Sequence, residues 1–149
     1  MLTKPTEAQI KKACEFWAGK LGKFNAFFQT KEERKDPANR ETSYEETRAT
    51  VDGQQHAAQF STAEAKERLK VEIRKYLREH EFEFVPDLGR RVHICLDVDY
   101  HPRYDFFDIV DKAGLDPHDF LFPIKTQLVI KPDGGVVVFE GINAEPYEI

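Results

Sequence analysis

The chain has 149 residues, enough for a sizeable core in one domain; 40% are hydrophobic and 33% charged, the profile of a domain with a polar insert or a heavily charged surface. It lacks a run of roughly 18 apolar residues for a membrane helix, an apolar leader for secretion, and enough cysteines (only Cys14 and Cys95) for a disulfide framework, so a reducing, cytoplasmic setting is expected. The net charge of −5 is split: residues 1–80 carry 16 Lys/Arg and 13 Asp/Glu, whereas residues 81–149 carry 6 Lys/Arg and 14 Asp/Glu, an acidic half that repels nucleic acid and attracts basic surfaces.

Thr6 and Gln9 have capping-box spacing, in which each side chain satisfies a free backbone N–H of a helix's first turn. Ile10, Ala13, Cys14, Trp17, Ala18 and Leu21 follow as one apolar stripe, and Gly22 stands where a left-handed residue ends a helix. Cys14, on that stripe, reads as a small buried hydrophobe. A polar insert at about 29–60 follows, with Tyr44 and Val51 the only large apolar residues of 29–59. It reads as a mobile loop, or a loop with a marginal helix near 42–51. Asp52-Gly53 signals a turn that permits a weak hairpin.

Ser61 and Glu64 repeat the capping-box spacing ahead of a second helix. Its apolar stripe is Ala65, Leu69, Ile73, Tyr76 and Leu77. Its basic face, Lys66, Lys70, Arg74, Lys75 and Arg78, is of a kind more often solvated than bound to phosphate. Pro86 to Gly89 breaks the chain. A strand is expected over 91–100, then a helix from Pro102 with Phe106, Ile109, Val110 and Ala113 inward and Gly114 at its stop. Leu115 to Pro123 is a connector. Strands 124–131 and 136–140 flank the turn Pro132-Asp133-Gly134-Gly135 as a hairpin, and the tail GINAEPYEI lies on the surface. The fold class expected is α+β in one domain spanning 1–149: two N-terminal helices, then β-α-β-β forming a small, mainly antiparallel sheet packed on helices. Its exposed edge permits strand-to-strand homodimers.

HICLDVDYH, residues 93–101, alternates with period two. Ile94, Leu96, Val98 and Tyr100 form the apolar parity; His93, Cys95, Asp97, Asp99 and His101 form the polar one. Same-face neighbours on a strand stand about 7 Å apart, so the polar parity is a row rather than a cage. Its expected role is the wet face of the strand. The alternative is a metal-dependent hydrolase or nuclease using His93, Asp97, Asp99, His101 and His118, because two adjacent carboxylates call for a cation or a basic partner. No HExxH, paired CxxC or phosphate loop is present, serine is scarce, and no catalytic residue, metal ligand or cofactor is assigned.

Asp105, Asp108 and Asp111 recur every three residues on the helix after Pro102, with Asp97 and Asp99 before them. Carboxylates spaced about 5–6 Å apart along a helix imitate a phosphate row. These five are the candidate partner-binding residues, and a basic nucleic-acid-binding surface of another protein is the candidate partner. The negative charge argues against direct nucleic-acid binding.

TEAQIKKACEFWAGKL, KERLKVEIRKYL, LDVDYHP, FDIVDKAGL and LFPIKTQLVIKPDGGVVV occur here in an order that resembles a family of small bacteriophage and prophage proteins. The likeness covers most of the chain outside 29–60. It departs at Ile124, where the family pattern FPWKT has an aromatic, and at the final GINAEPYEI. The resemblance supplies no catalytic residues. It implies an accessory protein of phage type acting in the host cytoplasm, with inhibition of a host defence complex, in the manner of anti-CRISPR proteins, as the expected role.

Overall fold

Thr6 and Gln9 close the capping box their spacing predicts. The Gln9 N–H donates to Thr6 Oγ1 at 3.2 Å and the Thr6 N–H donates to Gln9 Oε1 at 2.9 Å, at the head of α1 (Glu7–Lys20). In this computed structural model, residues 1–24, 52–141 and 144–149 are described; the helix expected near 42–51 lies outside them. At its other end α1 stops at Leu21, and Gly22 takes φ 85° as its N–H donates to the Leu121 carbonyl at 2.8 Å. A Cβ there would lie 2.7 Å from the Ser61 Cβ, so glycine meets both a backbone and a packing demand.

Residues 52–58 are helical, so Asp52-Gly53 lies in a helix and makes no hairpin. The Phe24 ring packs against Gly53, and Phe24, Ala57 and Ile124 form a small cluster of their own. The cap of α2 (Ala63–Glu79) is Thr62, one residue beyond the expected Ser61; Thr62 Oγ1 accepts from the Ala65 N–H at 3.1 Å. The Ser61 N–H is instead spent closing a turn on the Ala58 carbonyl at 3.2 Å. Ala65, Leu69, Ile73 and Leu77 are buried as the stripe predicts.

The break at Pro86–Gly89 is the turn of a short antiparallel hairpin, β1 (Phe84–Val85) and β2 (Arg90–Arg91). The main sheet is antiparallel, in sequence order: β3 (Ile94–Val98), β4 (Thr126–Ile130), β5 (Val136–Glu140) and β6 (Tyr147–Glu148). The β4–β5 hairpin is as expected. The tail is largely exposed, as expected, but it also forms a strand, β6: Tyr147 pairs with Val138, and the Ile149 N–H reaches the Val136 carbonyl at 3.0 Å. GINAEPYEI has no alternating apolar run, so periodicity gave no sign of this strand.

Register sorts the sheet faces. Ile94, Leu96 and Val98 oppose Ile130, Leu128 and Thr126, and all six are buried. They meet Trp17, whose ring centroid lies 4.6 Å from Phe106 and 5.3 Å from Phe122. One indole therefore ties α1 to α3 (Asp105–Lys112) and to the connector before β4. Burying a large aromatic contributes about 2–3 kcal/mol. The fold is α+β with two antiparallel sheets. Among the described residues no helix is long and apolar enough to cross a membrane.

Two boundaries differ from expectation where the site lies. Of the strand expected over 91–100, Arg91 belongs to β2 and β3 covers only 94–98, and the strand expected from Ile124 begins at Thr126 because Lys125 adopts φ 55°. The helix expected from Pro102 begins at Asp105. Pro102 instead bridges back to Val98, and the Arg103 N–H donates to the Asp97 carbonyl at 2.9 Å. The chain doubles back along the end of β3 before α3 starts.

Candidate functional site

That reversal gives the site its geometry. β3 delivers Asp97, the turn 99–104 delivers Asp99, Tyr100, Arg103 and Tyr104, and α3 delivers Asp105, Asp108 and Asp111. The alternation of 93–101 holds as far as Val98. Ile94, Leu96 and Val98 face the helices, while His93 and Cys95 are exposed and Asp97 and Asp99 half-buried. It fails at Tyr100, expected with the apolar parity but 50% exposed, because the strand has ended.

The two strand-end carboxylates are handled in different ways. Asp99 forms an ion pair with Lys125, whose left-handed backbone also brings its N–H to the Asp99 carbonyl at 2.8 Å. Asp97 lies across from Gln127, whose amide Nε2 donates to Oδ2 at 3.3 Å. Its Oδ1 is buried with no hydrogen-bond partner among the described residues. Burial raises the Asp97 pKa above the usual carboxylate range, partly opposed by the Gln127 bond and the positive Arg103. The row thus holds one carboxylate paired with a cation and one whose burial raises its pKa. Both carboxylates, with Arg103, Lys125 and Gln127, line a cleft of about 380 Å³.

The α3 carboxylates lie apart from that cleft. Asp105 accepts a hydrogen bond from the Tyr76 hydroxyl at 2.5 Å, and with Asp108 lines a groove between α2 and α3 that also holds Glu72 and Glu79 together with Lys75 and Lys112. Asp105, Asp108 and Asp111 are all exposed, and Asp108 and Asp111 have no ion pair among the described residues. Their positions have unequal meaning. The N-cap of α3, Tyr104, makes no capping bond with its side chain, so Asp105 and Asp108 in the first turn supply the negative charge that a helix N-terminus favours. Asp111 sits in the last turn, where the helix dipole disfavours an anion. Helix stability therefore accounts for the first two and not for the third.

The reactive row stays a row. The His101 ring turns away to stack on Phe120 at 4.8 Å, and His118 meets Phe107 edge-on at 5.2 Å. Among the described residues no three His, Cys, Asp or Glu side chains gather where they could hold a metal ion. Although Cys95 reaches solvent, partial desolvation by the protein around it, then the Asp97 charge, raise its thiol pKa, which disfavours the thiolate a nucleophile needs. Cys14 is buried as expected, donating to the Lys70 carbonyl at 3.4 Å. The basic face of α2 is partly neutralised from within: Arg78 makes a two-pronged pair with Glu7 at 3.0 and 2.9 Å, and Lys70 pairs with Glu67 at 3.5 Å.

Sequence reasoning singled out the carboxylates and passed over the aromatic residues between them. Tyr100 and Tyr104 are 50% and 75% exposed. A signal was present in DYHPRYD, where two tyrosines and an arginine surround a proline between a strand and a helix. No protein-family model, curated protein or solved structure matches the chain.

Proposed function

We propose that this protein acts by binding another protein, as a non-enzymatic inhibitor or adaptor whose acidic α3 docks on a basic, nucleic-acid-binding surface of its partner. The observation that carries this reading is Asp111, exposed, unpaired among the described residues and set where helix electrostatics disfavour it. With Asp108 it forms an anionic stripe that can steer a basic partner and compete with its phosphate ligand. A host nucleic-acid-binding defence complex, such as a CRISPR nuclease, is the partner class that joins this stripe to the phage-type resemblance, with the host cytoplasm as the place of action.

Capture from a bacterial lysate tests the reading, using the full chain and its Asp108→Lys/Asp111→Lys variant. The expected result is retention of a nucleic-acid-binding protein by the unmodified chain, its release by salt, and its loss with the variant. Equal retention of the same proteins by both chains, insensitive to salt, would count against it.

A further inference from the structure

Tyr104 combines two features that rarely coincide. Its backbone lies at φ 51°, ψ −130°, which a residue with a Cβ adopts only under strain, yet its side chain is 75% exposed and buries little to offset that strain. The other described non-glycine residue with positive φ, Lys125, has an internal reason, since its ammonium pairs with Asp99 and lies 5.3 Å from the Tyr100 ring. Among the described residues, the side-chain partner of Tyr104 is its neighbour Arg103. The Arg103 guanidinium lies 4.9 Å from the ring centroid and donates to the phenol oxygen at 2.9 Å. That contact orients the ring without burying it.

The turn is pinned on both sides. Arg103 is fixed by its N–H to the Asp97 carbonyl, and the Phe107 N–H donates to the Tyr104 carbonyl at 3.1 Å. The strain is therefore held by the fold rather than relieved by rearrangement. Tyr104 is the non-helical residue just before α3, and Asp108 and Asp111 lie further along that helix, three residues apart and therefore neighbours on its surface. An exposed, pre-oriented tyrosine at the head of a carboxylate stripe suits a partner side chain that is both flat and cationic. Arginine meets that description: its guanidinium stacks on an aromatic face and forks to carboxylates, whereas an ammonium is a compact, strongly hydrated point charge. Tyrosine and arginine are also residues in which interface energy concentrates.

We propose that Tyr104 is the anchor of the docking surface, its open ring face receiving an arginine of a basic partner segment while Asp108 and Asp111 pair with the cations that follow. This rests on the reading of α3 as an acidic docking helix and names the residue type it recognises.

The probes are a synthetic arginine–glycine repeat peptide and its lysine–glycine counterpart, titrated calorimetrically into the full chain. The expected result is tighter binding of the arginine peptide, weakened about tenfold by Tyr104→Gly and retained by Tyr104→Phe. Glycine also relieves the backbone strain, so the melting temperature of Tyr104→Gly should hold or rise as binding falls; a tyrosine kept for the fold would lower both. Binding of Tyr104→Gly within twofold of the unmodified chain, or a lowered melting temperature, overturns the anchor. If Asp108→Asn/Asp111→Asn weakens binding while Tyr104→Gly does not, the anchor is wrong and the acidic reading stands. If neither substitution weakens it, or the unmodified chain binds neither peptide, both fall.

Discussion

Gln9 donates its side-chain amide to the Lys131 carbonyl at 2.8 Å and to the Gly135 carbonyl at 3.1 Å, joining the head of α1 to the β4–β5 turn across more than 120 residues of sequence. The same residue caps α1 through its carbonyl oxygen. Gln9 is 1% exposed, so its own amide has no water to take the place of these partners. Gln9→Leu should cost about 1–3 kcal/mol in denaturant unfolding, by removing the bond that caps the Thr6 N–H and one of the two bonds to each carbonyl, which keep those from the Gly134 and Lys131 N–H groups. Gln9→Glu should cost more at neutral pH, because it sets a carboxylate against two carbonyl oxygens. The folded-state pKa of that new carboxyl would be raised above its unfolded value of about 4.3. The stability of Gln9→Glu should therefore be best below about pH 4 and fall as pH rises through the folded value.

Tyr76 and Asp105 make the corresponding link between α2 and α3. Burial first, then the bond to Asp105, push the Tyr76 phenol well above its usual range. A pKa raised in the folded state gives stability that is fully present below the unfolded value of about 10 and lost as pH rises beyond it. Tyr76→Phe should cost about 1 kcal/mol or less at pH 8, since the pair is partly solvated. The gap between the two proteins should narrow above about pH 10, read by urea unfolding at several pH values. Tyr147, pushed up to about 12 chiefly by its bond to Glu140, titrates alike in both proteins and cancels in the comparison.

Lys125 separates backbone strain from side-chain pairing. Lys125→Ala removes the ion pair with Asp99 and keeps a Cβ at φ 55°; Lys125→Gly removes the pair and relieves the strain. The glycine variant should be the more stable of the two by about 1 kcal/mol, a difference measurable as a shift in urea midpoint. Equal stability would show that the left-handed conformation there costs little.

The three carboxylates of α3 should respond unequally to neutralisation. Asp105→Asn and Asp108→Asn each remove a charge favoured at the helix start and should cost about 0.3–1 kcal/mol at low salt. Asp105→Asn should be the more costly, since it also weakens the bond from Tyr76. Asp111→Asn should be neutral or slightly stabilising. Thermal melts at low and high salt check this ordering, which salt should compress.

What could be read from the sequence was local and periodic. The Thr6–Gln9 box, the stripe from Ile10 to Leu21 and the alternation of Ile94, Leu96 and Val98 each carry their structural meaning within a few residues. The boundaries that failed depend on distant partners. Pro102 has the chemistry of a first helical residue, but its bridge to Val98 delays α3 by three residues. Ile124 belongs to an apolar run, yet Lys125 turns the backbone to reach Asp99 and the strand starts later. β6 exists because Val137 and Val138 offer it an edge, not because its own residues alternate. For the site, the five carboxylates were visible as charges. Their division between the strand-end cleft and the open face of α3 was not, since it follows from the reversal at residues 99–104.

Competition for the partner's nucleic-acid site is the most direct measurement of the docking account. A captured partner is loaded with fluorescently labelled DNA or RNA, and anisotropy is followed as the protein is added. The account predicts displacement of the nucleic acid by the unmodified chain, weakening as salt rises, and little or none by Asp108→Lys/Asp111→Lys. Nucleic acid that stays bound at saturating protein, or is displaced equally by both chains, would contradict it.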